Sequence, residues 1–167
     1  MSVLRLSRST VRLALFGLVV FLGLLTILRS TPATLPALVA GLGDEEARRR
    51  RGPPDEWSVS EIAAHLVDAE QAWLQRRIRL MAEQDHPRLP YYPDLDYTRP
   101  GLPESLEEFA GLRQANVAYL EALPPPDWRR RGTHERWGEI TITWAVRHIA
   151  AHDAEHLAQL SRVLARA

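Results

Sequence analysis

The sequence predicts an all-α fold: a four-helix bundle with a long crossover between its second and third helices, preceded by an apolar N-terminal extension. Three observations predict it. Apolar residues recur at helical spacing in four separate segments. No stretch alternates apolar and polar residues as a half-buried strand would, and no internal repeat or glycine-rich phosphate loop occurs, so no sheet is expected. The connection "DHPRLPYYPDLDYTRPGLP" (85–103) carries five prolines, three tyrosines and no helical period. A connection this long between helices is uncommon unless it crosses a bundle or covers a site, and the crossing makes the helices it joins parallel.

Composition narrows the function. A chain of 167 residues with 46% apolar content suits one domain with one real core. Twenty-one basic residues, all arginine, balance 21 acidic ones, so charge offers no reason to expect nucleic acid as partner. The absence of cysteine excludes disulfides, zinc-thiolate sites and a cysteine nucleophile. The absence of lysine excludes Schiff-base chemistry.

Residues 1–21 are set apart from a bundle spanning 22–167. "LALFGLVVFLGLLTIL" (13–28) follows Arg5, Arg8 and Arg12 and resembles an anchor or signal segment. It is shorter than the ~20 apolar residues a spanning helix needs. The expected location is cytoplasmic, with a membrane tether through 13–28, a buried extension or a start called too early as the alternatives. The first bundle helix runs over about 22–42, ends at Gly43, and is expected to kink at Pro32. Arg48 to Arg51 read as a solvated run near a helix end.

The second helix has a clear start in "EWSVSEIAAHL". Ser58 and Glu61 form a capping box, Trp57 and Ile62 a hydrophobic staple. Ile62, Leu66, Ala69, Trp73 and Leu80 then mark one apolar stripe, with His65 on its flank. Ser105 and Glu108 suggest a second capping box for the third helix, which runs through Phe109, Leu112, Val117, Leu120 and Leu123 to "PPPD". "WRRRGTHERWGEI" reads as a turn-rich connector, and Thr141 or Thr143 caps a fourth helix that runs almost to Ala167.

That last helix contains "HIAAHDAEHLAQL" (148–160). With His148 set at 0°, His152 falls at ~40° and His156 at ~80°, inside a stripe with Val163, Ile149 and Leu160 at ~60°, ~100° and ~120°. His148 lies at the border with solvent. Two readings compete: satisfied imidazoles at the edge of a core, or ligands aimed at a metal. His65, from another helix and also beside an apolar stripe, strengthens the second, because bundle cores assemble metal sites from facing helices. Three imidazoles without thiolate suit zinc, nickel or iron(II), with coordination left open for water or substrate. Asp68 and Gln159 stand one turn from His65 and His156 as supporting hydrogen-bond partners, or as plain surface polar residues. His86 and His134 are expected in exposed loops, and the five tryptophans serve as packing anchors.

Taken in order, "TPATLPALVAGL", "DEWSVSEIAAHLVDAE", "GTHERWGEIT" and "HIAAHDAEHLAQL" resemble the DinB-like superfamily of bacterial four-helix bundles over about residues 22–166. The resemblance implies a divalent metal held by His65, His152 and His156, and leaves His148 outside the ligand set. It also implies a range of activities. Some relatives are metal-dependent transferases or isomerases using low-molecular-weight thiols such as bacillithiol or mycothiol. A thiol transferase is therefore expected first, with a metal-dependent hydrolase or a non-catalytic, metal-stabilised bundle as alternatives. The expected partners are a small-molecule substrate and a second copy of the chain, and no nucleic acid. The apolar segment 1–21 departs from the family pattern.

Overall fold

The computed structural model describes residues 8–53, 56–92 and 101–166, with side chains from Leu22 onward. Four rods form the bundle. They are α1 (Arg8–Leu38); a continuous rod of α3 (Val59–Ala69), a π-helical stretch (Glu70–Ile78) and α4 (Arg79–Glu83); α5 (Leu102–Ala122); and α6 (Ile142–Leu164). A short α2 (Asp44–Arg48) links the first two rods. Side-chain pairs give the directions. Glu70 meets Arg113 while Arg79 meets Tyr119, so α3 and α5 run parallel, as the long crossover requires. Leu25 packs in one cluster with Leu120 while Leu35 packs in another with Phe109 and Leu102, so α1 opposes α5.

Helix α1 starts at Arg8 and passes the expected boundary at Leu22 without a break; residues 1–7 lie outside the described residues. Leu25 and Leu28, from the end of the apolar run, are fully buried in the bundle. Among the described residues no helix is long and apolar enough to cross a membrane. The helix ends at Leu38 rather than near Gly43. Its Pro32 lacks the N–H that would bond the Leu28 carbonyl, and Arg113 Nη1 donates to that carbonyl at 2.9 Å instead.

The second rod begins as expected. Glu61 N–H donates to Ser58 Oγ at 3.3 Å and Ser58 N–H to Glu61 Oε2 at 2.7 Å. Its π-helical stretch is not visible in the periodicity. Ile62, Leu66, Glu70, Leu74 and Ile78, at intervals of four, are all at most 1% exposed. In a pure α-helix each such step overshoots a full turn by ~40°. The wider π turn offsets that drift and holds the five on one face. Leu80, placed on the stripe by sequence, is only half-buried, and Met81 is buried in its place.

Two expectations are corrected. Helix α5 begins at Leu102, so Ser105 lies buried inside its first turn and does not cap it. The cap comes from outside: Leu102 N–H donates to Asp44 Oδ1 of α2 at 3.0 Å. A sheet is also present. Strands β1 (Arg88–Leu89), β2 (Arg131–His134) and β3 (Gly138–Thr141) form a three-stranded sheet, β1 parallel and β3 antiparallel to β2. Segments of two to four residues are too short to show a period. Gly138 closes the hairpin at φ 66°, a left-handed conformation that glycine adopts without strain. Thr141 caps α6 by accepting from Trp144 N–H at 3.1 Å. The run Arg48–Arg51 is tied into ion pairs with Asp44, Glu45, Glu46 and Glu61.

Two apolar clusters fill the interior. One gathers Leu25, Leu28, Leu74, Ile78, Leu120 and Ile149, the other Leu35, Ile62, Leu66, Phe109, Leu160 and Val163. Between them in sequence level lies a buried polar layer of Thr31, Glu70, Arg113, Asn116 and Asp153. All five N–H groups of Arg113 are used, on Glu70, Asp153 and the Leu28 carbonyl. Thr31 donates to Asp153 at 2.7 Å and Asn116 to Glu70 at 2.9 Å.

Candidate metal centre

Because α3 and α6 run antiparallel, Trp57 meets His156, His65 meets His152, and Trp73 meets His148 along the seam. His65 Nε2 stands 2.9 Å from His152 Nε2, which stands 3.1 Å from His156 Nε2. One nitrogen from each ring lies within 4.8 Å of the others, and no carboxylate joins the group among the described residues. The three histidines selected by the angular argument are brought together. His148 does not join them; its ring stacks on Trp144 and its centre is 6.4 Å from that of His152.

The surroundings keep His152 and His156 neutral. Burial, and then the neighbouring imidazoles, push the His152 pKa down to about 2. Burial also lowers His156, against a partial rise from its bond to Gln159. His156 Nδ1 lies 2.8 Å from Gln159 Oε1. An amide oxygen only accepts, so the proton sits on Nδ1 and a lone pair is left on Nε2. Asp68 is buried one turn beyond His65.

The donor set fits a cation. His152 Nε2 faces two other Nε2 atoms, and its Nδ1 is buried with no hydrogen-bond partner. Protons shared among three facing nitrogens cannot satisfy them all, whereas one cation accepts every lone pair at once. Nitrogens ~2.0–2.1 Å from a tetrahedral zinc lie ~3.3 Å apart, close to the spacing here.

Other expectations are revised by burial. Arg113 is buried and fully bonded, so it has no donor to spare for a substrate. His134 was expected to be exposed but is 3% exposed, because the alternation of β2 turns it inward onto Trp73. His86 is exposed as expected. Of the tyrosines expected to cover a site mouth, Tyr91 is exposed, Tyr92 lies against Arg76 and Arg77, and Tyr97 is outside the described residues.

Known proteins agree with this architecture. The sequence profile of the DinB superfamily matches residues 27–160. Among solved structures, the chain is similar to YfiT from Bacillus subtilis, described as "a probable metal-dependent hydrolase with an unusual four-helix bundle topology". That similarity has a TM-score of 0.78 at 18% identity and covers 99% of this chain and 92% of YfiT. No curated protein matches the chain.

Proposed function

The chain belongs to the DinB superfamily, and from the meeting of His65, His152 and His156 we propose that it is a divalent-metal-dependent transferase that joins a low-molecular-weight thiol to a small electrophile. The observation that carries this reading is a ligand group made only of imidazoles. Neutral ligands leave a bound ion its full double charge, and zinc, nickel and iron(II) all accept such a set. A divalent ion held by these three histidines would supply Lewis acidity to a thiol or substrate.

The chemistry favours a thiol over water as nucleophile. A free thiol has a pKa of ~8.5 and needs only a small shift to ionise at neutral pH. Water starts at ~15.7 and gains more from a positioned base, and among the described residues no carboxylate joins the ligand group to serve as one. The chain's own side chains do the positioning. Gln159 fixes the tautomer of His156, and Trp57 lies over His65 and His156 and screens that flank. The thiol proton passes to solvent, the sulfur forms the new bond to the electrophilic carbon, and the leaving group departs with its bonding pair. Such thiols are kept reduced in the cytosol, so a cytoplasmic location accompanies this reading.

A hydrolase is the second reading, favoured by the description of YfiT. Metal-loaded protein is incubated with bacillithiol, mycothiol or glutathione and a chromogenic electrophile, and separately with nitrophenyl esters. Thiol-dependent turnover that disappears in His156→Ala supports transfer; ester cleavage alone, lost in the same variant, supports hydrolysis. No turnover with either leaves a metal that staples the bundle.

A further inference from the structure

Beside the histidine centre the structure holds a second cluster of chemistry-bearing groups. Trp73, Trp137, Trp144, His134 and His148 form one network of ring contacts, with centroids 4.3–6.3 Å apart. It reaches the candidate ligands through His148 and His152. Trp137 is 36% exposed, so the network opens to solvent.

Two buried groups against Trp73, Arg77 and His134, have no acidic partner among the described residues. Arg77, only 4% exposed, sits with its guanidinium 4.4 Å from the centre of the Trp73 ring and 5.0 Å from that of Tyr92. Its Nε donates to the Pro90 carbonyl at 3.1 Å, and no carboxylate among the described residues pairs with it. The contrast with Arg113, which is equally buried and holds two carboxylates, is direct. Burial pulls the Arg77 pKa below the usual arginine value, as expected of a desolvated charge. His134 is the second group. Its Nδ1 accepts the Arg136 N–H at 3.1 Å, which places the ring proton on Nε2, and that buried Nε2 has no partner. Buried donors in folded proteins nearly always find an acceptor.

We infer that Arg77 and His134 form a subsite for a carboxylate carried by a molecule with a planar apolar body, which lies against the exposed Trp137 beside the histidine centre. A guanidinium fork and one ring N–H suit a singly charged planar acceptor, whereas a phosphate dianion would call for more donors. The exposed Trp137 indole supplies a flat apolar face for the rest of the molecule. The inference deepens the proposed function by naming a substrate class. It rests on that reading only for the reacting atom; the anion subsite stands on Arg77 and His134.

The test compares benzoate with its neutral isostere benzamide, and with phenyl phosphate, by calorimetry and tryptophan fluorescence on metal-loaded and chelator-stripped protein. Benzoate should bind at least about tenfold tighter than benzamide in both forms, as a charge-assisted pair implies. Arg77→Met should erase that preference, Arg77→Lys should restore part of it, and His134→Phe should weaken it while keeping the ring stack. Equal affinity for acid and amide in the wild type overturns the inference, and that comparison needs no variant to fold. A preference lost on stripping the metal also overturns it, because the carboxylate then sits on the ion. Tighter binding of phenyl phosphate than of benzoate overturns the carboxylate assignment. A benzoate preference that persists in a protein without thiol or ester turnover sinks the enzyme reading and keeps the subsite.

Discussion

Arg113 is the residue on which the interior depends most. Its five donors close on two carboxylates and on a carbonyl that Pro32 leaves without its helical donor. Burial raises the Glu70 pKa, while the Arg113 charge works to lower it. Arg113→Met would leave Glu70 and Asp153 buried without their cation, and should cost ~3–5 kcal/mol in urea unfolding. Glu70→Gln keeps the shape, removes one charge and leaves Asp153 to pair with Arg113, so it should cost clearly less. Equal losses in the two variants would show that the layer's charge balance is not what matters. At the candidate centre the expected outcome is compositional. Wild-type protein should carry about one divalent ion per chain, removable by chelator with a fall in Tm, and His152→Ala should carry little. Equal, negligible metal in both proteins would remove the centre.

Among the elements, the starts of α3 and α5 are held by carboxylates, and both respond to acid in the same direction. Bonding to Arg50, and to Ser58, holds the Glu61 pKa below its usual value. The Leu102 N–H, and then Arg48, do the same for Asp44. A depressed folded-state pKa means that the ionised form favours folding. That stability is fully present above the unfolded value of ~4.3 for Glu and is lost as pH falls through the folded value. Glu61→Gln should therefore lower the urea midpoint at pH 7 but approach wild type near pH 3; a gap unchanged at both would contradict the pKa shift. The sheet offers a steric test. A Cβ on Gly132 would meet Met81 Cγ at 2.9 Å and Leu89 Cγ at 3.1 Å. Gly132→Ala should thus destabilise by ~1–3 kcal/mol, the usual range for overpacking, and thermal unfolding would measure it.

For the whole molecule, among the described side chains both apolar clusters, the polar layer and the three histidines are built from Leu25 onward. A chain shortened to begin at Leu22 should therefore fold, with full helical circular dichroism and the same metal content. Failure to fold would show that the preceding turns of α1 complete the bundle, and salt-resistant recovery of the full chain in a membrane fraction would establish the tether. Much of this plan was legible in the sequence. The Ser58–Glu61 box is a local motif, and the stripes of α3 and α6 are local periods, so bundle class, helix order and the inward face of His152 and His156 follow from neighbours within a few residues. What escaped depends on partners far along the chain. Asp44 caps a helix 58 residues later, Arg113 reaches back to Leu28, and β1 finds its partner across the bundle, which also turns His134 inward. The π-helical turn likewise reflects how one rod must keep its face against three others, a demand that no local propensity encodes. The sequence by itself determined the apolar stripe of each helix up to the π turn; only the tertiary structure decided the face beyond it and which inward groups meet, because charge pairing, remote capping and strand pairing are contacts between surfaces that sequence spacing does not relate.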